Sequence, residues 1–167
     1  MRISISVLFC ASVVSLTNAK ADSLDVILAP IQGTSACWER SYTADHLSNH
    51  PRQKVTSVRF DLGYHEWEDD QAGQGEYTFS IAIETRESRG TDGGLCHSDD
   101  KGNTVCAVDC DGGAIELRRR SPEEGSLYLE LLFGGLRLED CGSDEAFWLS
   151  AEPDDRVFLV HPVACQE

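Results

Sequence analysis

Residues 96–113 read CHSDDKGNTVCAVDCDGG. Cys96 and Cys106 lie five residues either side of Lys101. Between them, Asp100-Lys101-Gly102-Asn103 has the composition of a tight turn. A hairpin centred there sets the two cysteines opposite one another, within reach of a disulfide. The chain beyond Cys106 extends the reading. If Val105 to Asp111 is a strand, Cys106, Val108 and Cys110 share one face, and Ala107, Asp109 and Asp111 the other. The first set is apolar and the second mostly acidic, as a half-buried strand requires. Cys106 and Cys110 then sit about 13 Å apart along the strand, too far to bond one another. A redox dithiol spaces its cysteines by two residues, usually at a helix start, and this pair fits neither condition.

The other cysteines follow from the chain's address. Arg2, the apolar run from Ile3 to Leu16, and Ala19-Lys20-Ala21 read as a secretory signal cut after Ala21. The run is too short to span a bilayer as a helix. Residues 22–167 are then the mature domain, a single unit large enough to bury its own core. Of seven cysteines, Cys10 leaves with the signal, and the remaining six predict three disulfides. The expected pairs are Cys96 with Cys106, Cys110 with Cys141, and Cys37 with Cys165, the last tying the two ends of the domain together. The expected location is the periplasm or the cell exterior.

The mature chain reads as all-β. Val58, Phe60 and Leu62 alternate with Ser57, Arg59 and Asp61. Similar alternation runs through Tyr77–Ile83, Ile115–Leu117, Leu127–Leu131, Leu136–Leu138 and Phe158–Val160, and Leu24 to Leu28 is a short apolar run. Period-two patterns mark strands with one wet face. Asp111-Gly112-Gly113 and Gly134-Gly135 suit tight hairpins. The prediction is a single antiparallel meander, forming a small barrel or a two-sheet sandwich. One segment departs from it: Thr43 as N-cap, Ala44 to Asn49, then Pro51 as a stop, which predicts one short helix at residues 44–49.

Charge bounds the partners. The chain carries 14 Lys and Arg against 29 Asp and Glu, a net charge of −15. Loss of Arg2 and Lys20 with the signal leaves 12 against 29, or −17. Such a surface repels nucleic acid and anionic lipid, and favours a cationic protein as partner.

Few residues carry specific chemistry. His46 and His50 share a helix face and are candidate metal ligands, although no third ligand lies near in sequence. A zinc-protease motif would place Glu after the first His, where Leu47 stands. The acidic stretch Glu66, Trp67, Glu68, Asp69 and Asp70 is a candidate partner-binding loop, with Trp67 as a stacking face. The polar stretch from Arg86 to Asn103 is expected to be the longest loop and a second candidate surface. Asp99, Asp100, Asp109 and Asp111 allow a calcium reading only if neighbouring loops converge. No Gly-x-Ser-x-Gly elbow occurs, and no cofactor is implied.

In combination, CWERSY, HLSNHP with the following KVTSVRF, and CAVDCDGG resemble small exported β-rich proteins of Gram-negative bacteria, a group with no assigned activity. The resemblance implies a periplasmic or secreted β-rich domain. The expectation is therefore a non-enzymatic binding module, with a cationic protein such as a hydrolase as its partner. The alternatives are a metal-dependent or carboxylate-based periplasmic enzyme and a structural component of the envelope.

Overall fold

The computed structural model describes residues 23–66, 74–121, 123–138 and 146–166. Its elements run α1 (Leu24–Ile27), β1 (Ser35–Ser41), α2 (Ala44–Asn49), β2 (Val55–Glu66), β3 (Gly75–Thr85), β4 (Arg89–Ser98), β5 (Thr104–Val108), β6 (Gly113–Arg119), β7 (Leu127–Leu138), β8 (Phe147–Ser150) and β9 (Val157–Val163).

The strands form an antiparallel meander from β1 to β7, each paired with the next. Strand β9 then pairs on one side with β7 and on the other with β1. That double pairing closes an eight-stranded barrel. The barrel is the outcome of the two architectures that alternation alone allows. β8 stands outside the ring and, among the described residues, pairs only with the distal half of β7.

Alternation carries the core as expected. Val58, Phe60, Leu62 and Tyr64 of β2 point inward and are buried, with Phe79, Ile81 and Ile83 of β3 beside them. Leu127, Leu129 and Leu131 of β7 face Phe158 and Val160 of β9. The outer face is polar, with Arg59, Asp61 and Glu39 in one ion-paired row and Arg118, Glu130 and Arg156 in another. This is the inverse of a lipid-facing barrel. No helix among the described residues is long and apolar enough to cross a membrane.

The up-and-down path sorts the connections to two ends. The α2 end carries the β1–β2, β3–β4, β5–β6 and β7–β8 connections. The α1 end carries α1 itself and the β2–β3, β4–β5 and β6–β7 connections. At the α1 end, Leu24 and Leu28 are buried in the core, and the Tyr77 hydroxyl donates to the Leu28 carbonyl (2.9 Å). The apolar run at Leu24 to Leu28 is thus a short helix and its exit, not a strand. At the α2 end, Gly90 of β4 lies against Leu138 of β7 and Phe147 of β8, so closely that a Cβ would sit 2.9 Å from Leu138 Cβ and 3.0 Å from Phe147 Cδ1. The distal half of β7 and β8 therefore fold across that end, burying Leu136, Leu138 and Leu149.

Two of the expected disulfides are present. Cys96 and Cys106 are register partners on β4 and β5, as the hairpin reading requires. Cys37 and Cys165 join across 128 residues with their Cα atoms 5.2 Å apart. Two disulfides are found among the described residues where three were expected, because Cys141 lies outside them. Disulfides of this kind belong to an oxidising compartment outside the cytoplasm.

Three expectations need correction. Strand β5 ends at Val108, so Cys110 does not continue its inward face. The chain must reverse into β6 there, and Cys110 and Asp111 take φ values of 54° and 59° in an exposed turn. The stretch from Arg86 to Asn103 is no loop, since β4 runs through it. Its glycines mark close approach of neighbouring backbone: a Cβ on Gly94 would lie 2.1 Å from the Ala107 carbonyl oxygen. Finally, Gly134-Gly135 makes no hairpin. With Phe133 (φ 51°) they form a bulge inside β7, where residues 132–135 oppose Ala114 alone between the Ile115–Leu131 and Gly113–Leu136 pairs. The bulge turns the distal half of β7 across the barrel end.

Candidate functional site

Among the described residues, apolar side chains fill the barrel interior. Phe60, Phe158, Ile81, Ile83, Ile115 and Leu117 are each fully buried and fill it. The hollows of this molecule lie on its outside and at its ends.

Helix α2 forms as its caps require. The Thr43 hydroxyl accepts the His46 N–H (3.2 Å), and the His50 N–H reaches the His46 carbonyl (3.1 Å). His46 and His50 do share a face. Their rings stack, with centroids 4.1 Å apart and planes 16° apart, and Tyr42 stacks on the other side of His46 at 4.8 Å. Burial pushes the Tyr42 phenol above its ordinary value, against the lowering effect of Arg40. One nitrogen of each imidazole is engaged. His46 Nε2 meets Gln53 Oε1 (3.0 Å), and His50 Nδ1 meets the His46 carbonyl (2.8 Å). Ring lone pairs lie in the ring plane, so stacked imidazoles aim theirs side by side and not at one point. No group of three or more His, Cys, Asp or Glu side chains placed to hold a metal occurs among the described residues.

The acidic stretch is met only at its start. Glu66 ends β2, is exposed, and donates its backbone N–H to Gln32 Oε1. Trp67, Glu68, Asp69 and Asp70 lie outside the described residues. The calcium reading fails on topology: Asp99 and Asp100 sit in the β4–β5 turn at the α1 end, and Asp109 and Asp111 in the β5–β6 turn at the α2 end. Asp99 spends its carboxylate on the turn, accepting the Asn103 and Lys101 N–H groups (2.8 Å each) and Asn103 Nδ2 (2.9 Å). The Asn103 backbone bond is the main cause holding its carboxyl below the ordinary value.

One Ser–His contact has no counterpart in any sequence motif. Ser126 Oγ lies 3.1 Å from His161 Nδ1, and Arg40 Nη1 lies 3.3 Å from His161 Nε2. Arginine only donates, so Nε2 must accept and Nδ1 must carry the proton. His161 then donates to buried Ser126. A nucleophilic serine needs the reverse, with the imidazole taking its proton. The trio ties β1, β9 and the β6–β7 turn together.

Long-range contacts that no local pattern announces build the α2 end. Asp155, 1% exposed, accepts the backbone N–H groups of Lys54 (2.8 Å) and Val55 (3.0 Å) and so pins the β8–β9 connection to the start of β2. Arg86 donates to the carbonyls of Gln53 (2.8 Å), Leu47 (2.7 Å) and His50 (3.3 Å), locking the β3–β4 turn beneath α2. Between these fixed pieces runs a groove of about 430 Å³, walled by residues 51–54, 86–87 and 152–154. A second hollow of about 300 Å³ shares Lys54, Arg86 and Glu87 with it and extends along Phe147, Trp148 and Leu149 of β8. The Arg52–Asp154 ion pair (3.3 Å) crosses the first. Trp148, 53% exposed, stands at the second. A more apolar hollow of about 620 Å³ lies at the α1 end, between α1, Trp38 and the Cys37–Cys165 bridge.

No family model matches this chain, and no curated protein and no solved structure matches it either.

Proposed function

We propose that this chain is an exported binding module, acting in the periplasm or outside the cell through its outer surface, with a cationic protein such as a hydrolase as its partner. The observation that carries the reading is the division of labour in the barrel: apolar side chains fill the interior, and the charge lies outside. A barrel that works by enclosing a ligand keeps its interior open. With the interior filled, recognition falls to the surface and the barrel ends. A net charge of −15 steers that surface toward positive partners.

The test is direct binding. The oxidised protein, immobilised, is offered an extract of exported proteins, and captured species are identified and then purified for titration. The expected result is a defined basic protein whose Kd rises about tenfold between low and high salt. Capture of acidic proteins only, or affinity indifferent to salt, would end the cationic-partner reading.

A further inference from the structure

We infer that Phe133 anchors the binding surface: an aromatic knob, held out on the β7 bulge, that inserts into an apolar pocket of the partner protein. The inference rests on the binding-module reading and gives that reading its central contact. Among the described residues Phe133 is the most exposed large apolar side chain, at 83%. Its φ of 51° lies in the left-handed region, which glycine accepts and a bulky side chain disfavours. Glycine would relieve both faults at once, and glycines do occupy the next two positions. A strained backbone that holds a large apolar ring in water points to a role outside the fold.

The knob is firmly mounted. The Ala151 N–H donates to the Gly134 carbonyl (2.9 Å), and the Leu131 N–H to the Arg156 carbonyl (2.9 Å). Gly135 is hemmed in by β8, since a Cβ there would meet the Leu149 carbonyl oxygen at 2.1 Å. Leu131 and Leu136, on either side of the bulge, are buried in the core. The ring is thus offered from a fixed base, and little freedom is lost when a partner covers it. Rigid aromatic side chains that fill a pocket carry much of the energy of protein interfaces. Two further exposed apolar side chains, Trp148 and Val157, lie on β8 and β9, the strands paired to β7 on either side of the bulge. The charges of the neighbouring outer face, Glu116, Arg118, Glu130 and Arg156, are paired among themselves and balance. The anchor therefore works by burial, while attraction from a distance comes from the net charge of the whole chain.

Two probes are added to the full oxidised protein. One is β-cyclodextrin carrying amino groups on its narrow rim, an apolar cup edged with cations. The other is the basic protein captured in the binding assay above, purified. With the cup, the expected result is a chemical-shift change at the amides of residues 132–135 that is absent in F133G. With the captured protein, F133G raises Kd about thirtyfold, and F133Y, which keeps the ring, by less than about threefold. The salt dependence of Kd is the same in F133G and wild type, because no charge is lost. The thermal midpoint of F133G stays within about 2 °C of wild type or rises, since the ring buries little and glycine accepts the backbone. Four outcomes overturn the inference. They are F133G binding the captured protein within about threefold of wild type, no shift at residues 132–135 with the cup, and a midpoint of F133G lowered by more than about 2 °C, which would make the ring structural. The fourth is sedimentation showing wild type self-associated and F133G monomeric, which would give the ring to a second copy of the chain. Each of these leaves the binding-module reading standing. Capture of no basic protein removes both.

Discussion

The seam where the barrel closes differs along its length. Toward the α1 end it is finished: β9 is paired on both sides, Trp38 Nε1 donates to the Gly125 carbonyl (2.7 Å), and Cys37–Cys165 staples the margin. Toward the α2 end β8 takes over from β9, pairs on one side only among the described residues, and faces a groove. The change falls at residues 151–156, opposite the bulge at residues 132–135 of β7. One half of the seam is paired on both sides and stapled, and the other is paired on one side among the described residues. Among the described residues, the double pairing and the disulfide thus fall to one stretch of the boundary.

Breaking the finished half should have the largest effect. C37A together with C165A frees a span of 128 residues, and loss of so long a cross-link costs about 4 kcal/mol. Urea unfolding of the oxidised double variant against wild type measures it. Next comes the junction. D155A strands the buried Val55 N–H and the half-buried Lys54 N–H and costs about 2 kcal/mol, with D155N losing about half as much because its carbonyl still accepts. A D155A loss of under about 0.5 kcal/mol in the same assay would show that the junction is held by something else.

The open half should respond differently. W148A removes a half-exposed side chain and is expected to shift stability by no more than about 0.5 kcal/mol, while W38F, which deletes the Gly125 hydrogen bond, costs about 1 kcal/mol. Equal losses at the two tryptophans would erase the distinction between the halves. The smallest effect belongs to the turn at Asp99, away from the seam. Its carboxyl is lowered from 3.8 by hydrogen bonds made to the ionised form. Ionised Asp99 therefore supports the turn fully above that value, and the support is lost as pH falls through the lower folded value. Exchange of the Asn103 amide should quicken only in that acid range, and D99N should remove the pH dependence.

Much of this fold is written locally. The hairpin at Cys96–Cys106 follows from a symmetric spacing about a turn, and α2 from an N-cap and a stopping proline. Alternation at Val58, Phe60 and Leu62 reports one wet face, but barrels and sandwiches share that pattern, so closure could not be read from it. Glycines misled twice. Between Arg89 and Ser98 they permit close backbone contact within a strand, and at Gly134-Gly135 they permit a bulge, whereas composition alone suggests loops and turns in both places. The groove was illegible because its walls come from residues near 54, 86, 148 and 152, joined by Asp155 and Arg86 through contacts that leave no periodic trace. His46 and His50 were correctly placed on one helix face; their stacking depends on Tyr42 and Gln53, which spacing does not reveal.

The double pairing of β9 has a consequence for the birth of the molecule. Until residues 157–163 arrive, the meander is an unclosed ribbon, with β1 raw along one margin and β7 along the other. The latest strand is thus the keystone, and the pairing of β1 with it spans nearly the whole chain, the slowest kind of contact to form. A chain released short of β9 would carry two adhesive margins into a crowded compartment, where such ribbons aggregate.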